Sequence, residues 1–158
     1  MKKLILFLSI TLAAGLLLTN IYNSLVDATS WGSDIPSSIQ TARDYFRTVN
    51  PGNFFRIFSP VNQVLALLTL ILFWKTSKTV RLFFAVVLVL SVANDIFTFA
   101  YFYPRNSIMF ETPIAENIEQ IKTAWTQWNL MNWIRSLVGA IGLFFSCKGL
   151  DAVYKAEK

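Results

Sequence analysis

Four stretches of the chain are nearly free of charge, at about residues 4–25, 60–75, 81–103 and 123–147. Apolar side chains fill most of each stretch instead of marking one helical stripe. That is the pattern of a helix surrounded by hydrocarbon, where about 20 mostly apolar residues cross the bilayer. The pattern predicts an all-α integral membrane four-helix bundle, one domain over residues 1–158. The first stretch follows Lys2 and Lys3, and Ala13-Ala14-Gly15 offers small residues of the kind cleaved after a signal peptide. The apolar run continues through Leu16, Leu17, Leu18 and Ile21, beyond the roughly 7–15 residues of a signal core, so a retained helix is expected.

The two longer connections have helical patterns of their own. In the first, residues 26–59, Ile35-Pro36-Ser37-Ser38 reads as a helix start. Ile39, Ala42, Tyr45, Phe46 and Val49 then share one face, with Gln40, Arg43, Asp44 and Arg47 on the other. Pro51-Gly52 is expected to end this amphipathic helix, with Phe54, Phe55, Ile57 and Phe58 as an interfacial aromatic cluster before a second span beginning at Pro60. Pro104 is expected to end the third span after the aromatic belt Tyr101-Phe102-Tyr103. In the second connection, residues 104–122, Thr112-Pro113 reads as a helix start, with Ile114, Ile118 and Ile121 on one face and a path straight into the fourth span.

Lysine and arginine near the span ends set the orientation. Lys2, Lys3, Lys75, Lys78, Arg81, Lys148, Lys155 and Lys158 fall on one side. Arg43, Arg47, Arg56, Arg105 and Lys122 fall on the other. The richer set belongs in the cytoplasm, which puts both termini there and both long connections outside the inner (plasma) membrane.

Composition agrees: 54% of residues are hydrophobic and 15% charged, against about a quarter charged in soluble domains. The net charge of +5 sits at span ends and forms no basic stripe interleaved with aromatics, which argues against nucleic acid. The lipid bilayer is the expected partner. Histidine is absent and Cys147 is the one cysteine, so no motif for zinc, haem or a Cys-x-x-Cys redox pair is present, and neither cofactor nor metal is expected. Oligomeric state is not legible. Gly139 and Gly142 are spaced by three, unlike the Gly-x-x-x-Gly dimer pattern.

Candidate chemistry lies in the polar residues within the spans. These are Asn20 and Asn23 in the first, Asn62 and Gln63 in the second, Asn94 and Asp95 in the third, and Asn129, Asn132 and Arg135 in the fourth. At 1.5 Å per residue, Asp95 lies about 21 Å from Arg81, Arg135 about 20 Å from Lys148, Gln63 about 18 Å from Lys75 and Asn20 about 26 Å from Lys3. All four spans thus place polar groups at similar depth in the outer half of the bilayer. A charge there costs about 2.5–3.5 kcal/mol on insertion scales, so an Asp95–Arg135 ion pair is predicted between the third and fourth helices. Two readings follow. The cluster is structural glue between helices, or it forms an outward-opening pocket for a flat aromatic or quinone-like molecule. In the second reading Asp95, Arg135 and Asn132 are catalytic. Trp128, Asn129, Asn94, Asn20, Gln63 and Tyr101 bind the ligand.

The stretch Trp128-Asn129-Leu130-Met131-Asn132-Trp133-Ile134-Arg135 resembles the W-x3-N-x2-R segment in the last helix of the anthrone-oxygenase-like family, small four-span membrane proteins. The layout is similar too: a long outer connection after the first span and a short basic turn between the second and third. The resemblance implies that Trp128, Asn132 and Arg135 are polar site residues. It also implies oxidation of anthrones to anthraquinones without a recognised metal or flavin. Histidines that some relatives place near this motif are missing. Asp95 is the only acidic residue well inside a span, and so the candidate base for drawing a proton from such a substrate. Arg135 and Asn132 are candidates for stabilising the oxyanion that results. The competing expectation is a non-enzymatic scaffold or partner subunit. A transporter is disfavoured because no inverted repeat or broken helix is visible.

Overall fold

The computed structural model describes residues 1–156; Lys158, counted above among the basic flanks, lies outside them. All regular structure among the described residues is helical. Helix α1 (Lys2–Tyr22) passes through a π-helical turn (Asn23–Asp27) into the short α2 (Ala28–Trp31). Helix α3 (Ser37–Tyr45) is followed by α4 (Pro51–Phe73) and α5 (Lys78–Phe97). A second π-helical turn (Thr98–Phe102) leads into α6 (Tyr103–Glu111), and α7 runs unbroken from Ile118 to Ala156. Four continuous helical segments, Lys2–Trp31, Pro51–Phe73, Lys78–Glu111 and Ile118–Ala156, are long and apolar enough to cross a membrane. The protein is a multi-pass membrane protein. Leu18, Val89, Ile71 and Leu137 are all more than half exposed on the outside of the bundle, as side chains facing hydrocarbon should be.

Several boundaries differ from those the sequence predicts, each for a local reason. Pro51-Gly52 begins α4 instead of ending α3. The Asn50 side chain accepts the Gly52 N–H at 2.9 Å, and Pro51 occupies a first-turn position where its missing N–H costs nothing. The second span therefore starts nine residues before Pro60, which lies within the helix. Phe54, Phe55 and Phe58 belong to the first turns of α4. Pro104 does not stop the third segment. The π-turn before it has already replaced the i→i−4 ladder, with Tyr103 N–H bonding Thr98 C=O, so the proline opens α6 without breaking a regular helix. Thr112 closes α6, its hydroxyl donating to Ile108 C=O at 2.7 Å, and α7 begins only at Ile118. At 39 residues α7 is about 58 Å long, well beyond the hydrocarbon thickness.

The spanning helices pack as a closed ring in the order α1–α4–α5–α7. Two apolar clusters seal its ends. One joins Leu6, Leu70, Phe73, Val80, Phe84 and Val153 near the chain termini. The other gathers Trp31, Ile39, Ala42, Phe102, Met109, Ile121 and Trp128 beneath α3 and α6. Helix α3 is pinned to α6 by Arg43, whose Nε and Nη2 both donate to Met109 C=O at 3.0 and 2.7 Å. Partial burial holds that guanidinium below its ordinary pKa.

Candidate functional site

Between the two clusters lies a cavity of about 860 Å³, walled by all four spans and by α3 and α6. Its floor is apolar and small, with Ala13, Leu17, Leu90, Gly139 and Gly142. Its waist carries Asn20, Ser59, Asn94, Asp95, Thr98 and Arg135. Above these stand the aromatic rings of Trp31, Phe46, Phe55, Phe99, Phe102, Phe110 and Trp128, and then Arg47, Arg56, Asn106 and Glu111.

Asp95 and Arg135 both line this cavity but do not form the predicted ion pair. The Asp95 carboxylate accepts hydrogen bonds from Ser59 Oγ at 2.9 Å and Gln63 Nε2 at 2.6 Å, both from α4. Arg135 donates to Asn20 Oδ1 and, at 3.3 Å, to Thr98 Oγ1. Its guanidinium lies 4.3 Å from the Phe102 ring centre and 5.5 Å from that of Phe55, within cation–π range. Each charge is solvated by neutral neighbours, and the two interact only through space. A carboxylate has about four lone-pair sites and a guanidinium five N–H donors, so both keep capacity toward the cavity.

The other sequence candidates divide into three groups. Asn20, Asn94 and Trp128 line the cavity with the two charges. Asn132 and Gln63 stand behind its wall. Asn132 is fully buried, donating to Ser24 Oγ at 2.6 Å and Asn20 C=O at 3.2 Å, while Asn20 donates to Ser136 Oγ at 2.7 Å. This network docks α1 on α7. Asn129 and Tyr101 lie away from the cavity. Among the described residues, the Asn129 amide oxygen is buried without a partner, as are Asn132 Oδ1 and the Trp128 indole nitrogen. Tyr101 holds Arg105 over its ring at 3.4 Å and accepts from it through its carbonyl.

Sequence reasoning left Ser59, Thr98, Phe102 and Asn23 off the site. Asn23 is 4% exposed, lines the cavity, and its side chain has no hydrogen-bond partner among the described residues. Its spacing from Asn20, one helical turn, was the available signal. Ser59 and Thr98 are unremarkable by type; only the early start of α4 and the π-turn bring them to the waist. Among the described residues no three His, Cys, Asp or Glu side chains converge as a metal site.

The fold and cavity define a class: a four-span membrane protein with a polar chamber inside the bundle. The sequence profile of the anthrone oxygenase family matches residues 52–145, more than half of the chain, and the protein belongs to that family. The match takes in α4 through most of α7, including Asp95, Trp128 and Arg135. Comparison with curated proteins and with solved structures gave no match.

Proposed function

We propose that the chamber binds a small aromatic or quinone-like molecule and oxidises it with molecular oxygen, as the family name describes for anthrones. The observation that carries this reading is the separation of Asp95 from Arg135 across one cavity. A direct ion pair would spend both charges on each other. Here each remains able to engage a ligand. A chamber of about 860 Å³ falls within the usual range for small-molecule sites, roughly 300–1,000 Å³.

In this reading Asp95 takes a proton from the ring CH₂ of an anthrone, and the electron pair moves through the ring onto the carbonyl oxygen as an enolate. The spare N–H groups of Arg135 and the amide of Asn94 stabilise that oxyanion. Molecular oxygen then accepts the electrons. One oxygen atom stays on the former CH₂ carbon as a second carbonyl, and the other leaves as water with the two hydrogens. Trp128 and Phe102 shape the slot, and Asn132 positions Arg135 indirectly by fixing Asn20. The protein sits in the plasma membrane with both termini in the cytoplasm, so the arginine-lined end of the chamber faces outward.

The test is oxygen uptake and anthraquinone absorbance with purified protein and an anthrone. Turnover that vanishes in both Asp95→Asn and Arg135→Gln, with folding intact, is the expected result. Full turnover in either variant defeats the assignment. A second reading, a non-enzymatic scaffold, is favoured by the Asn20–Asn132–Ser24–Ser136 hydrogen bonds, which dock α1 on α7.

A further inference from the structure

The charges lining the chamber do not balance. Four arginines, Arg43, Arg47, Arg56 and Arg135, face two acids, Asp95 and Glu111. The acids are engaged, Asp95 by Ser59 and Gln63, Glu111 by Ser107. Arg43 is committed to the Met109 carbonyl and Arg135 to Asn20 and Thr98. Among the described residues, Arg47 and Arg56 have no hydrogen-bond, ion-pair or ring partner. They sit at the outer end of the chamber, on either side of the capped first turn of α4 at Asn50–Gly52. Asn23, an amide buried in the same wall without a partner, adds an unused polar group that points to a ligand rather than to protein packing.

We infer that the ligand is an aromatic acid: a fused-ring molecule with an anionic group that Arg47 and Arg56 hold at the outer end while the ring reaches the Asp95–Arg135 waist. The inference rests on the chamber being a ligand site and adds the charge of its occupant. Two unpaired guanidiniums lose little by binding an anion, and their planar forks match a carboxylate. The first turn of α4 adds N–H groups and the positive end of a 23-residue helix, which strengthens the arginines without being needed for the argument. The aromatic walls lie between mouth and waist, where a ring tethered by its acid would stack.

The test uses the full chain in nanodiscs of phosphatidylcholine and two probes, an anthraquinone carboxylate and its uncharged carboxamide, followed by calorimetry. The carboxylate should bind about tenfold more tightly. The double variant Arg47→Gln/Arg56→Gln should erase that preference and leave carboxamide affinity unchanged, since both side chains are exposed. Equal affinities in the native protein, or a preference that survives in the variant, overturns the inference while leaving the chamber as a ligand site. Failure of both probes to bind defeats the chamber reading and this inference together. Native mass spectrometry from discs containing phosphatidylglycerol supplies the last arm. Anionic lipid retained by the native chain and lost from the double variant would assign the arginines to lipid headgroups and overturn the inference.

Discussion

Asp95 and Arg135 line one chamber without touching, each held by uncharged partners from different helices. Asp95 on α5 is bonded from α4, and Arg135 on α7 is bonded from α1 and from the π-turn after α5. The arrangement avoids the cost of a bare charge in hydrocarbon without using up either charge. It also ties all four spans together at the depth of the chamber.

The first prediction concerns that separation. Asp95→Asn keeps a side-chain oxygen for Ser59 or Gln63 and removes the base. Turnover of an anthrone should fall by about 10²-fold or more, while detergent-state stability changes little. Arg135→Lys retains the charge but loses the fork that reaches Asn20 and Thr98 together, and should lose activity comparably. Oxygen uptake paired with thermal unfolding separates the outcomes. A variant that loses activity only in step with its folded fraction would reduce these residues to packing.

A second prediction follows from the placement of Asn132 behind the chamber wall. Asn132→Ala removes the bonds to Ser24 and to the Asn20 carbonyl, and should cost about 1 kcal/mol of stability, the scale of polar contacts between membrane helices. Ligand affinity of the folded fraction should stay near native. Reversible unfolding in mixed micelles reads the first quantity and calorimetry the second. Lost affinity at unchanged stability would return Asn132 to direct ligand contact.

Much of this was legible in the sequence because hydrocarbon is a severe solvent. Four apolar runs had to be spans, and polar groups at equal depth in all four had to meet. The short helix over Ile39 and Ala42 was readable from its buried face. What could not be read was how the prolines would be used. Pro51 and Pro104 both begin helices here, because Asn50 caps one and a π-turn precedes the other. Those two devices move Ser59 and Thr98 to the waist and give Asp95 and Arg135 neutral partners. Pairing two opposite charges was the natural expectation from their matched depth, and it failed because side chains that look ordinary by type could solvate them separately.

A third prediction tests orientation. In a Cys147→Ser background, cysteine at Ser37 on α3 or at Thr76 in the α4–α5 turn provides a reporter on opposite ends of the bundle. A membrane-impermeant maleimide should label the Ser37→Cys protein in intact cells and the Thr76→Cys protein only after permeabilisation. The reverse pattern would place the arginine-lined end of the chamber in the cytoplasm.

The last prediction compares two glycines of α7 that look equivalent in sequence. A Cβ at Gly142 would meet only Leu90 Cβ, at 3.9 Å, an ordinary contact beside open space on the chamber floor. A Cβ at Gly149 would run into the Phe84 ring, with Cζ at 2.9 Å and Cδ1 at 3.0 Å. Phe84 is 2% exposed within the inner cluster and has nowhere to move. The same substitution to leucine therefore has opposite consequences, and the gain in helix propensity is common to both and cancels. Gly149→Leu should lower stability by about 1–3 kcal/mol or more through overpacking. Gly142→Leu should fold as well as the native chain and fill the chamber floor, so that ligand affinity drops while the melting temperature holds. Melting curves and calorimetry on the pair decide the matter. Native affinity in a well-folded Gly142→Leu protein would mean that ligand does not reach the floor between α5 and α7.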